Sequence, residues 1–94
     1  FYHLTDKYLF VHAGIKPDYP LEELDEVDLV YIRSKFIYSK HKLPQKIIFG
    51  HTEFDEPYID EDKICIDLGC GKYSNAHLCA LILNEDGTHE FVYS

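Results

Sequence analysis

The sequence predicts a mixed α/β fold of the α+β kind, and three observations carry that reading. A single stretch, about Leu24 to Ser39, places apolar residues at helical spacing. Five or six other runs have the length and apolar character of strands. Two of those runs end in a histidine beside a glycine: Tyr8 to Val11 leads into His12 and Gly14, and Lys46 to Phe49 leads into Gly50 and His51.

The elements follow in order. "FYHLTDKYLFVHAGI" reads as two strands meeting at a turn around Thr5, Asp6 and Lys7. Pro17 and Pro20 bracket a loop. The acidic stretch "LEELDEVDL" suits the start of a helix, where the backbone dipole favours negative charge. Leu29, Ile32 and Phe36 then form one apolar face, and Pro44 marks the boundary beyond it. Lys46 to Phe49 is a strand, Pro57 to Ile59 a short second one, "DEDK" a turn and Ile64 to Asp67 a third strand. "HLCALILN" and "THEFVYS" are two more, joined by the turn signal "EDG".

Ninety-four residues suit one domain, without repeats or a dividing linker. An apolar content of 46%, with eight Tyr and six Phe, argues for a folded chain. The net charge of −8 argues against a nucleic-acid polymer as partner, because its phosphates would be repelled. No apolar run approaches a membrane span of roughly 18 residues, so no membrane partner is expected. The three cysteines, Cys65, Cys70 and Cys79, include no Cys-x-x-Cys. They fit reduced thiols in a reducing, cytoplasmic setting, with Cys65 a small core residue. The chain starts at Phe1 in mid-pattern and contains no Met, which reads as a piece of a longer protein.

The chemistry-bearing candidates are three. A strand end followed by glycine presents a side chain to the crevice where α/β sheets bind ligands. His12 and His51 could therefore converge on a metal ion, or could be unrelated residues capping two turns. Arg33 falls inside the apolar stripe of a continuous helix. It either snorkels or pairs with a carboxylate, or it clamps an anion with its planar fork. His3, His41, His77 and His89 have no such setting and read as surface or strand residues.

"FVHAGI", "YIRSKF", "IIFGHT" and "ICIDLGCGKYSNAHLCAL" occur in that order. Together they resemble the C-terminal half of the calcineurin-like metallophosphoesterases. The likeness is to the phosphoprotein phosphatases and their bacterial relatives, the diadenosine tetraphosphatases among them, and it covers nearly the whole chain. The resemblance implies a fold in which residues 1–94 are the C-terminal part of a catalytic domain. That part would be half of a β-sandwich flanked by helices, with a mixed sheet and one main helix. It implies that His12 and His51 are ligands of one metal ion, that Arg33 binds the substrate phosphate, and that Asp67 is structural. Tyr73 would lie near the active site. The implied enzyme uses two divalent ions, Mn, Fe or Zn, to hydrolyse a phosphoprotein or another phosphate ester. Serine/threonine protein phosphatase comes first, with diadenosine tetraphosphatase or a non-catalytic phosphatase-like module as alternatives.

Three departures stand beside it. Tyr31 replaces the usual Trp. The stretch from Cys70 to Leu78 is about two residues longer than the family pattern and lacks its paired glycines. The motifs of the family's first half, G-D-x-H-G, G-D-x-x-D-R-G and G-N-H-E, do not occur in these residues. The chain alone is therefore expected to be inactive, to bind metal weakly at best, and to self-associate through strand edges that the missing half would cover.

Overall fold

A computed structural model describes residues 1–94 and has an α+β architecture with a mixed sheet. Five strands form the main sheet: β1 (Tyr2–Leu4), β2 (Tyr8–Val11), β3 (Lys46–Phe49), β4 (Tyr58–Ile59) and β5 (Lys63–Cys65). Their spatial order is β1-β2-β3-β5-β4. The three central strands are parallel, and the two edge strands are antiparallel to their neighbours. A separate hairpin pairs β6 (Cys79–Leu83) with β7 (His89–Tyr93). No helix is long and apolar enough to cross a membrane.

Register places Leu9, Ile47 and Lys63 side by side, and two residues further on Val11, Phe49 and Cys65 follow the same line across the sheet. These six face the helical side. There Leu9, Val11, Ile47, Phe49 and Cys65 pack with Ile15, Leu29, Phe36 and Ile37 into one core cluster. Phe36 meets Phe49 edge-on, with ring centroids 4.9 Å apart.

The single helix expected over Leu24 to Ser39 is in fact two short ones, α1 (Glu26–Tyr31) and α2 (Ser34–Ile37), after a 3₁₀ turn at Leu21–Glu23. Asp25 caps α1 by accepting the Val27 N–H at 2.7 Å. The break has an identifiable cause. In a continuous helix the Leu29 carbonyl would accept the Arg33 N–H. Here it accepts the Ala13 N–H at 2.8 Å instead, where the chain leaves β2. Ile32 is extended, and Arg33 adopts φ −131°, ψ −109°, outside the helical region. Arg33 therefore does not lie in a helix stripe; it stands at the junction between the two helices.

β5 begins and ends earlier than expected, at Lys63 rather than Ile64 and at Cys65 rather than Asp67. Ile66 still gives its N–H to Phe49, but the Asp67 carboxylate turns to other partners described below. Lys63 is fully buried, which the turn reading of "DEDK" missed. Its ammonium donates to Ser39 O at 2.8 Å, to Asp62 Oδ1 at 2.7 Å and to Asp60 Oδ2 at 3.1 Å, so all three protons are used. It also lies 5.4 Å from the centre of the Phe36 ring.

His41 belongs to the same knot and corrects its reading as a surface or strand residue, because its side chain is buried in the loop after α2. The Leu43 N–H donates to His41 Nδ1 at 3.2 Å, which makes Nε2 the protonated nitrogen, and Nε2 lies 2.9 Å from Asp62 O. The core cannot cover these groups with apolar atoms alone, so each is paired within it.

Two outcomes are expected. Gly14 has φ +150°, and a Cβ there would come within 2.3 Å of the Phe36 ring. Gly14→Ala should therefore lower unfolding free energy by roughly 3 kcal/mol, and adding Phe36→Leu should recover part of it; a Gly14→Ala protein as stable as its parent in urea would contradict this packing. The second concerns acid. Burial by itself would raise the Asp62 carboxyl, but hydrogen bonds from Lys63 and from the His41 N–H outweigh it and hold the group at about 2, below its ordinary 3.8. A depressed carboxyl stabilises the fold fully above its unfolded value and stops doing so as pH falls through the folded one. Asp62 should thus account for on the order of 2 kcal/mol of the stability lost between pH 4 and pH 2, and in Asp62→Asn the urea-midpoint profile should be shallower over this range than in the parent.

Candidate functional site

The two histidines meet because β2 and β3 are parallel neighbours. Phe10 pairs with Ile48, and two residues further the Gly50 N–H donates to the His12 carbonyl at 2.8 Å. The chains therefore leave the sheet side by side, and the His12 and His51 rings sit with centroids 5.1 Å apart, tilted by 51°. β5 runs the same way, so Asp67 emerges at the same end. This is the carboxyl end of the parallel strands, where loops of different strands converge.

His51 is the one non-glycine residue with positive φ, at +69°. A left-handed backbone costs a side-chain-bearing residue about 1–2 kcal/mol, and it persists only where the surroundings fix it. Both backbone groups of His51 are held by charged side chains. Its N–H donates to Asp67 Oδ2 at 2.9 Å, and its carbonyl accepts from Arg33 Nη1 at 3.0 Å. The other Asp67 oxygen accepts the Gly69 N–H at 2.9 Å. Gly69 itself has φ +78°, and a Cβ on it would lie 2.6 Å from the Tyr73 ring. Asp67 thus joins the His51 turn to the loop that follows β5.

Burial lowers the His51 pKa below its ordinary 6.5, and the Arg33 and His12 charges push it further down. At neutral pH the ring is uncharged, with a lone pair free on one nitrogen, as metal ligation requires. Tyr31, largely exposed, closes one side edge-on, with its ring 6.3 Å from that of His51. The histidines and Asp67 form the polar end of an open trough of about 670 Å³. Its remaining wall is mainly apolar and includes Phe10, Ile48, Ile66 and Leu78. The Thr52 hydroxyl, next in the chain, is buried without a hydrogen-bond partner.

The donor set stops at two. No group of three or more His, Cys, Asp or Glu side chains is placed to hold a metal ion. Cys65 is buried, and burial raises its thiol to about 11, which makes it an inert core group. Cys79 is buried as well, while Cys70 is exposed. Tyr73 packs on Gly69 and borders a separate hollow with Asp55 and Asn75.

One charged pair beside the site went unnoticed in the sequence. Lys72 donates to Glu53 Oε1 at 2.9 Å, and Glu53 lies two residues beyond His51. Residues 19 apart carry no local sign of pairing. In comparisons with models of protein families, with curated proteins and with solved structures, nothing matches this chain.

The backbone of His51 gives a direct test. His51→Gly should be more stable than His51→Ala by about 1 kcal/mol, although glycine usually loses to alanine. The reverse order in urea melts would mean that residue 51 is not left-handed in solution.

Proposed function

We propose that this chain supplies two imidazole ligands and an anion-binding arginine to a metal-dependent phosphoesterase of the calcineurin-like kind. In this reading residues 1–94 are the C-terminal part of its catalytic domain, half of the sandwich. The activity is hydrolysis of phosphate monoesters, as a serine/threonine protein phosphatase ahead of a diadenosine tetraphosphatase. The observation that carries the proposal is the pairing of His12 and His51 on adjacent parallel strand ends, with the Arg33 guanidinium donating to the His51 backbone.

The chemistry of the residues supports it. Two neutral imidazoles suit Mn, Fe or Zn but amount to half of a ligand set, since a stable site has about four donors or more. His12 and His51 would hold one ion, and the remaining ligands would come from outside these residues. When bound, divalent ions in such a site polarise the phosphoryl group and make a nucleophile available at neutral pH. The Arg33 side chain makes one hydrogen bond, to a neutral carbonyl, and forms no salt bridge, although acidic residues outnumber basic ones by 17 to 9. Its unused donors can take phosphate oxygens in the paired geometry of a guanidinium. Asp67 acts on the backbone of His51 and is not needed as a ligand.

A non-catalytic, phosphatase-like module is the second reading, and the intact His12, Arg33 and His51 count against it. Sequence upstream of Phe1 separates the two: G-D-x-H-G and G-N-H-E there mean enzyme, and their absence means module. For the 94-residue chain itself, no turnover of a phosphopeptide or a small phosphate ester with Mn²⁺ is expected. Weak Mn²⁺ binding should be lost in both His12→Ala and His51→Ala. In the complete protein Arg33→Ala should lower kcat/KM by roughly 10²-fold. Robust turnover by the 94-residue chain that disappears in His51→Ala would overturn the assignment of where the catalytic groups lie.

A further inference from the structure

The charged groups beside His51 form a row. Arg33 donates to the His51 carbonyl, Glu53 lies two residues further on, and Lys72 is hydrogen-bonded to Glu53. Glu53 is a natural competitor for Arg33, because a guanidinium prefers a carboxylate to a neutral carbonyl. Yet Arg33 and Glu53 form no ion pair; Glu53 is taken by Lys72 instead. Lys72 is not a stray surface lysine. Its backbone N–H is bonded to the Gly69 carbonyl at 3.0 Å, and its ammonium lies 5.5 Å from the centre of the Tyr73 ring. The Gly69 N–H is in turn tied to Asp67, the residue that fixes His51.

We infer that Lys72 is a positioning residue: it holds Glu53 away from Arg33 and so keeps the guanidinium open to an anionic substrate. The inference rests on the reading of Arg33 as the phosphate-binding group. Without Lys72 the Glu53 carboxylate turns to Arg33, occupies its free donors and repels a phosphate arriving there. Lys72 acts through Glu53 and makes no contact with the anion.

The test uses the 94-residue chain, with inorganic phosphate as probe, and follows the Arg33 side-chain N–H signals by NMR. In Lys72→Gln without phosphate these signals should move as for a carboxylate-paired guanidinium, and phosphate should bind roughly two- to fivefold more weakly, the range of an exposed ion pair. Lys72→Arg should behave like the parent. Lys72→Gln combined with Glu53→Gln should regain parental phosphate binding. Arg33 signals unchanged in Lys72→Gln would overturn the inference by themselves. So would a double variant that stays as weak as Lys72→Gln, because Lys72 would then be touching the anion directly. If the parent chain and Arg33→Ala respond to phosphate alike, the phosphate-binding role of Arg33 fails, and the Arg33 signals in Lys72→Gln still decide whether Lys72 restrains Glu53.

Discussion

The arrangement of the site depends on one carboxylate. Asp67 accepts the N–H of His51 with one oxygen and the N–H of Gly69 with the other. Neither residue is in a regular strand or helix, so neither amide has a ladder partner. A carboxylate accepting two backbone N–H groups satisfies both and adds the strength of charge. Without it the left-handed His51 would keep only the Arg33 bond to its carbonyl against its backbone cost, and the loop after β5 would lose the hold of Asp67 on Gly69. The imidazole is aimed by a residue that has no need to touch a ligand.

The chain handles its acidity with the same economy. Asp60 and Asp62 surround the ammonium of buried Lys63, and the N–H of His41 closes on Asp62. A lysine with all three protons accepted can sit against Phe36 in the core, where an unpaired one could not. At the other end of the sheet Arg33 is left with a neutral carbonyl. Charge is neutralised where it is structural and left open at the carboxyl end of the strands.

Much of the sheet was legible because its central strands carry apolar residues toward both faces. Such strands read as continuous apolar runs, and Lys46 to Phe49 fell where the sequence indicated. The helix was over-read because its break comes from Ala13, sixteen positions before Leu29 (29 − 13 = 16), and local periodicity cannot register a carbonyl captured from that distance. Arg33 reaches His51 by standing at that break, not through the stripe that periodicity suggested. The burial of Lys63 could have been read: it stands two residues before Cys65, so it shares the face of a residue already assigned to the core. His41 gave no local sign, because its burial depends on a loop folding back over Asp62. The histidines were visible as strand ends, but their proximity required the parallel pairing of β2 with β3, which no single strand encodes.

That pairing has a consequence for the order of assembly. β2 and β3 are joined across 38 positions (Leu9 to Ile47, 47 − 9), β3 and β5 across 16 (Ile47 to Lys63, 63 − 47). Closing the longer loop costs about 0.8 kcal/mol more in chain entropy, and such distant contacts are the slow ones in folding. On that ground β3 joins β5 first. His51 then gains its hold on Asp67 while the strand that carries His12 is still free, and the two imidazoles become neighbours only when the wider loop closes.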